Sequence, residues 1–218
     1  MRVLAPLATA LLALPLSAQA WDLRLEVPMP KGQNLPDTFI QGTGQLIGQR
    51  RLDTGRGFIA TASHRIVRVG PVLKFEWGAE FSHWQADGTV LDGAATVDSR
   101  LKQSGLGLGV NAQFWVPFTG LAGELGVIGR FQSYKLEAGG ASQEKNLVRP
   151  WLRVGLRYSL PIPLPVVTPY LAASYQQPIT KDRPVHVDSV SDLASYLGAQ
   201  GSGQEFERTW TFGVGIAF

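Results

Sequence analysis

Two of the chain's three histidines directly follow a serine, as Ser63-His64 and Ser82-His83. That pairing suggests nucleophilic hydrolysis, in which the imidazole takes the hydroxyl proton and a carboxylate orients the imidazole. Glu80, two residues before Ser82, is the nearest carboxylate. Both pairs fall in segments whose apolar residues alternate with period two, and neighbours on a strand point to opposite faces. Ser82 and His83 therefore cannot meet within one strand, and the H-x-S spacing that would put both on one face is absent. Nucleophile, base and orienter must converge for catalysis, so no catalytic residue is assigned. His186 with Asp188 supplies too few ligands for a metal. Gly105, Gly107 and Gly109 are spaced at two rather than as a G-x-G-x-x-G phosphate loop, and read better as a bare strand face beside something bulky. The absence of cysteine removes disulfides, thiolate metal sites, a catalytic thiol and a lipidated N-terminal cysteine together. No cofactor and no metal are expected.

What must position any site is a set of strands. Alternation runs through nearly the whole sequence after residue 20. Near the C-terminus Phe206, Trp210, Phe212, Val214, Ile216 and Phe218 oppose Glu207, Thr209, Thr211, Gly213, Gly215 and Ala217. The same contrast holds over 72–84 (Leu73, Phe75, Trp77, Ala79 and Phe81 against Lys74, Glu76, Gly78 and Glu80), 103–116, 121–136, 149–160, 167–177 and the short segment from Trp21 to Val27. Two places break it: Ile128 sits on the polar face, and over 56–69 Phe58, Ala60 and Ala62 drift into Arg65, Val67 and Val69 without a clean phase. The sum is about eight strands, most of them longer than is usual in soluble sheets and long enough for the 9 to 11 residues that cross a bilayer as a tilted strand.

The connections alternate long and short: 28–55, Gly70-Pro71, 85–102, 117–120, 137–148, 161–166 and 178–204. Outer-membrane barrels place short turns in the periplasm and long loops outside, and an even strand number returns both ends to the periplasm. In the longest late loop, Ser189-Val190-Ser191-Asp192 resembles a helix cap, with Val190, Leu193, Ala194 and Leu197 following at helical spacing. Ahead of the strands, Arg2, an apolar stretch broken by Pro6 and Pro15, and Ser17-Ala18-Gln19-Ala20 read as a cleavable signal peptide over 1–20, leaving 21–218 as one barrel domain. The charges, 20 Lys+Arg against 17 Asp+Glu, are interleaved rather than gathered in a stripe, so nucleic acid is not an expected partner.

Alternation does not by itself say which face is inside. A soluble, lipocalin-like binding barrel would turn its aromatics inward, but eight long strands would then crowd more large side chains into the lumen than it can hold. The polar face suits a narrow lumen better: it is glycine-rich, with Glu26, Lys74, Glu76, Glu80, Glu124, Arg130, Arg153 and Arg157 able to pair across it. Trp77, Tyr158, Tyr175, Trp210 and Phe218 lie on apolar faces, as interface girdles require.

The leader, the long alternating strands and the terminal run from Trp210 to Phe218 resemble the small eight-stranded outer-membrane proteins of the OmpA/OmpX/OmpW type, with no subfamily motif. The resemblance implies an all-β, transmembrane, antiparallel up-and-down barrel in a bacterial outer membrane. It implies that Phe212, Val214, Ile216 and Phe218 are read by the barrel-assembly machinery, and that outer-membrane lipid and lipopolysaccharide surround a monomer. Function is then expected in the extracellular loops, in membrane integrity or in limited passage of small solutes. The alternatives are a lipid A-modifying acyl hydrolase and the periplasmic lipocalin-like binder.

Overall fold

The computed structural model describes residues 21–30, 33–35, 38–39, 46–47, 50–52, 55–92, 95–138, 141–162, 164–179 and 209–218. Residues 1–20, expected to form a signal peptide, His186 and the capping sequence at 189–192 lie outside the described residues. Eight strands make the barrel: β1 (Trp21–Pro30), β2 (Arg56–Val69), β3 (Leu73–Asp92), β4 (Ala95–Trp115), β5 (Leu121–Ala138), β6 (Ala141–Ser159), β7 (Thr168–Pro178) and β8 (Thr209–Ala217). Each pairs antiparallel with the next, and β1 pairs with β8 from Asp22↔Ala217 to Pro30↔Thr209, which closes the barrel. This is an up-and-down barrel of eight strands with no free edge along its wall.

Four strands are longer than their apolar pattern announces. The sequence suggests loops at 85–102 and 137–148, whereas β3 pairs with β4 up to Asp92↔Ala95 and β5 with β6 up to Ala138↔Ala141. The reason lies in the outward face. Across β3, β4, β5 and β6, the register row Phe81, Leu106, Phe131 and Val148 is apolar, the next row is His83, Ser104, Ser133 and Asn146, and the one after is Gln85, Lys102, Lys135 and Glu144. Backbone pairing continues unchanged through the three rows, but the apolar contrast that marks a strand in the sequence stops at the first. Above the barrel proper, Gln33–Leu35 pairs with Arg50–Leu52, which docks on Gly88 and Thr89.

The broken phase of β2 also has a cause. The register with β3 shifts between Arg65 and Val67, a β-bulge that inserts Ile66 and lets Ala60, Ala62 and His64 share a face with Val67 and Val69.

Burial is inverted relative to a soluble domain. Leu106, Leu108, Val110, Phe131, Leu156, Trp210, Phe212 and Val214 are exposed on the outer wall, whereas Glu26, Glu76, Gln113, Arg157, Gln176 and Thr211 are fully buried. The two expected orientations are thereby separated: the apolar ribbon faces out. Towards the ends of β1 and β8, Trp21, His64 and Trp77 form an aromatic cluster, with the Trp21 and His64 rings 4.9 Å apart, and towards the other end Tyr175 packs on Trp210 at 5.3 Å.

Inside, bulk on one strand is matched by its absence on the next. A Cβ on Gly107 would lie 2.7 Å from the Glu80 side chain and 2.9 Å from Ile128, which explains why Ile128 tolerates the polar face. A Cβ on Gly215 would clash with the hydroxyl end of the Tyr170 ring. Gly215→Ala is therefore expected to lower barrel stability by about 1–3 kcal/mol by overpacking, while Gly123→Ala, with nothing within 4 Å of the added carbon, leaves it unchanged; equilibrium urea unfolding of the reconstituted protein checks both.

Candidate functional site

The inner face carries a single connected polar network. Asp22 accepts hydrogen bonds from Arg157 and Tyr170. The Tyr170 hydroxyl accepts one from Arg24 Nε at 3.3 Å, and Arg24 Nη2 reaches Glu124 at 2.5 Å. Gln113 donates to Glu124 and, at 2.7 Å, to Glu76, which also pairs with Lys74. Arg153 spans Glu80 at 2.8 Å and Glu26 at 3.5 Å, and Arg24 Nη1, 4.0 Å from Glu26, joins this group to the one around Asp22 and Glu124. Arg130 bonds Glu80 and Gln176. Gln176 continues to Ser174, and both Ser174 (3.1 Å) and Thr211 (2.7 Å) donate to Glu26. With Ser63 on Glu76, every strand contributes at least one member.

The eight charged residues singled out from the sequence all lie inward. Seven are buried, and Lys74 is nearly so, its side chain 14% exposed. Asp22 and Arg24 were legible from the same alternation, since both sit on the polar face of the first short strand. Tyr170, Gln113 and Gln176 were not singled out, because an uncharged side chain on an inward position carries no charge signal. Among the described residues, five inward carboxylates (Asp22, Glu26, Glu76, Glu80, Glu124) face six cations (Arg24, Lys74, Arg130, Arg149, Arg153, Arg157), close to balance.

Towards the upper end the lumen becomes aromatic. Arg130 lies 4.3 Å over the Trp151 ring, whose indole donates to Gln132 at 3.1 Å, and Arg149 donates to the Tyr134 hydroxyl at 3.0 Å beside buried Leu101. A cavity of about 30 Å³ lies between Asp22, Arg24, Thr61, Glu76, Asn111 and Arg153, space for about two waters and no more. Among the described residues no group of three or more His, Asp or Glu side chains is placed to hold a metal ion.

The Ser/His pairs part as the strand geometry requires. Ser82 is buried inside, within 3.4 Å of Gln103, while His83 is on the outer wall. There, however, His83 Nδ1 lies 2.9 Å from Ser104 Oγ of the neighbouring strand. Only the hairpin register could have revealed this contact, since the two residues are 21 positions apart. Among the described contacts no carboxylate orients His83.

Further out, Lys102 and Lys135 stand directly opposite each other, an arrangement of like charges that would repel. Glu137 bonds both, at 2.9–3.0 Å from Lys102 and 2.9 Å from Lys135. These bonds hold its carboxyl down at about 2 from an ordinary value of 4.5. Arg100 pairs with Asp87 at 2.6 Å beside them.

No protein-family model and no curated protein matches the chain. Among solved structures it is similar to Ail, the attachment invasion locus protein of Yersinia pestis, with 13% identity, 92% of this chain and 99% of that one covered, and a TM-score of 0.47. It is also similar to the transport unit of the autotransporter AIDA-I from Escherichia coli (18% identity, 78% and 58% covered, TM-score 0.42) and to the outer membrane protease OmpT from Escherichia coli (8%, 92% and 94%, 0.41). At those scores the class, a closed antiparallel barrel of eight strands, rests on the strand registers themselves.

Two outcomes follow. Glu80→Ala leaves Arg130 and Arg153 buried without their shared carboxylate and is expected to cost about 3–5 kcal/mol; combining it with Arg130→Met should cost less than the sum of the single changes in a double-mutant cycle read by urea unfolding. Because the Glu137 carboxyl titrates lower folded than free, its pairing contributes fully above about pH 4.5 and fades as the pH falls through about 2. A carboxyl NMR titration should find that midpoint, and Glu137→Gln should flatten hairpin protection across this window; a midpoint near 4.5 would refute the pairing.

Proposed function

We propose that the chain is an integral β-barrel of a bacterial outer membrane, exported by its leader, with a filled lumen. It acts through its extracellular face and in membrane integrity rather than by catalysis or as a pore. The observation that carries this reading is the inversion of burial: a charged network inside, and outside a belt of exposed Leu, Val, Phe and Trp. From Val116 to Leu106 that belt runs along β4 for a rise of about 25 Å at the usual strand tilt, the height of an outer-membrane apolar band. Exposed to water, so large an apolar surface would drive aggregation; against lipid it costs nothing. Lipid and lipopolysaccharide are the partners this wall suits, with Phe212, Val214, Ile216 and Phe218 as the segment read at assembly.

Near-neutral pairing and the Trp151 and Tyr134 layer leave little room for solutes, which is why limited passage ranks below the extracellular hairpins as the seat of function. A second reading, acyl hydrolysis at the outer leaflet, is favoured by one specific observation, the outward His83–Ser104 contact at the upper margin of the belt. In a lipopolysaccharide assay, Ser104→Ala and His83→Ala leave acyl release unchanged on the first reading and abolish it on the second. The unheated protein is expected to migrate apart from the boiled protein on SDS gels and to give no steady conductance in planar bilayers. A large ohmic channel would overturn the filled lumen, and monodispersity in plain buffer the membrane assignment.

A further inference from the structure

The end of the barrel that carries Trp21 and Phe218 closes with three short connections, and their chemistry is unusual for solvated turns. Between β4 and β5, Thr119 N–H donates to Val116 O, and the Thr119 hydroxyl donates to the same carbonyl at 2.9 Å. Pro117 leads this turn, and Phe118 occupies the position a Pro-led type II turn ordinarily gives to glycine or asparagine. Phe118 has φ of 66°. A left-handed backbone at an aromatic residue costs about 1–2 kcal/mol. The turn's hydrogen bonds hold the backbone there, but no packing of the Phe118 side chain contributes, because it is fully exposed.

The connection between β6 and β7 repeats the theme by other means. Ile162 N–H donates to Leu160 O and Leu164 N–H to Ile162 O, both at 2.8 Å, two successive tight turns in a segment with proline at 161, 163 and 165. This stiff segment holds Ile162, Leu164 and Val166 half-exposed or more, and Val72 is exposed in the third connection.

These side chains extend the outer belt into the connections: Val116 and Leu121 flank Phe118, and Val69 precedes Val72, all exposed, with exposed Thr119 and Arg68 among them, the latter donating to Gly70 O at 3.2 Å. Since the belt already spans the apolar thickness of a bilayer, the connections fall in the next few ångströms, where interfacial aromatics seat their rings.

We propose that the three short connections form a lipid-docking rim, with Phe118 as its wedge, inserted into the headgroup layer of the periplasmic leaflet. This rests on the outer-membrane reading given above. The rim fixes how deep the barrel sits, and the left-handed backbone aims the Phe118 ring away from the barrel so that it meets lipid.

The chain's lack of cysteine makes single-site labelling direct. Phe118→Cys, Ile162→Cys, Leu108→Cys in mid-belt and Asp98→Cys on the exposed β4 extension would each carry a nitroxide in the mature protein, reconstituted in vesicles of phosphatidylethanolamine and phosphatidylglycerol. Collision rates with oxygen, which partitions into lipid, and with a water-soluble nickel chelate are then compared. At 118 and 162 the oxygen rate is expected to exceed the nickel rate severalfold, approaching position 108, with the reverse at 98. If 118 and 162 match 98 while 108 stays oxygen-dominated, the rim is wrong and the membrane assignment stands. Low access to both reagents would mean that a second copy covers the rim, which also overturns it. Nickel access at 108 would sink the membrane assignment itself, and the rim with it.

Discussion

Charge neutralisation inside a closed wall is the constraint on which the molecule depends. Once eight strands are paired in a ring, every inward side chain loses access to bulk water, and a carboxylate or guanidinium left alone there would cost several kcal/mol. The solution is distributed rather than pairwise. Arg153 serves Glu80 and Glu26, Glu80 serves Arg130 and Arg153, and Glu26 receives Ser174 and Thr211 as well. Each link ties strands that are distant in sequence, so the network forms only when the ring is nearly complete. That makes closure cooperative: apart from Arg24 on its own strand, the partners of Glu26 on the first strand come from β6, β7 and β8.

The ring needs space as well as charge balance, and the inner face supplies it by contrast. Where Tyr170 crosses towards Asp22 and Arg24, the facing position on β8 is Gly215; on β4, Gly107 faces Glu80 and Gly109 faces Ile128. The glycines at spacing two are therefore volume partners of the large inward residues, and the cations stack on the aromatics so admitted, as Arg157 does on Tyr170 at 3.4 Å. A lumen filled in this way has little hydrated volume left for transport.

How much of this was legible in the sequence depends on what each feature requires. Strand existence, barrel closure and the inward set of Glu26, Lys74, Glu76, Glu80, Glu124, Arg130, Arg153 and Arg157 follow from period two, because an apolar outside and a polar inside leave a strong alternating trace. The upper halves of β3, β4, β5 and β6 left no such trace: there the outer face turns polar, as with Lys102 and Lys135, while the inner face mixes Gln103 with buried Leu101 and Tyr134, and pairing is maintained by backbone bonds that composition does not record. The same holds for the bulge at Ile66, visible in the sequence as a lost phase but not as its cause. The His83–Ser104 contact was hidden for a third reason, because it depends on which residue of β4 stands opposite which residue of β3, a matter of register that a one-residue slip would change entirely.

The two ends of the barrel solve opposite problems. At the end with long hairpins, outward residues turn charged within two register steps of the apolar wall, and Glu137 clamps two facing lysines, so the outer surface of the extension is built for water. At the other end exposed Val69, Val72, Val116 and Ile162 carry apolar surface into the turns, and Phe118 keeps a left-handed backbone with its side chain fully exposed. On the outer-membrane reading proposed above, polar residues at the ends of an apolar belt fix its depth by resisting burial in lipid, and an apolar rim at one end adds an interfacial anchor on that side. On that same reading, a depth fixed at the short turns makes the length of the charged hairpins determine how far they project, so the chemistry of one end of the barrel sets the reach of the other.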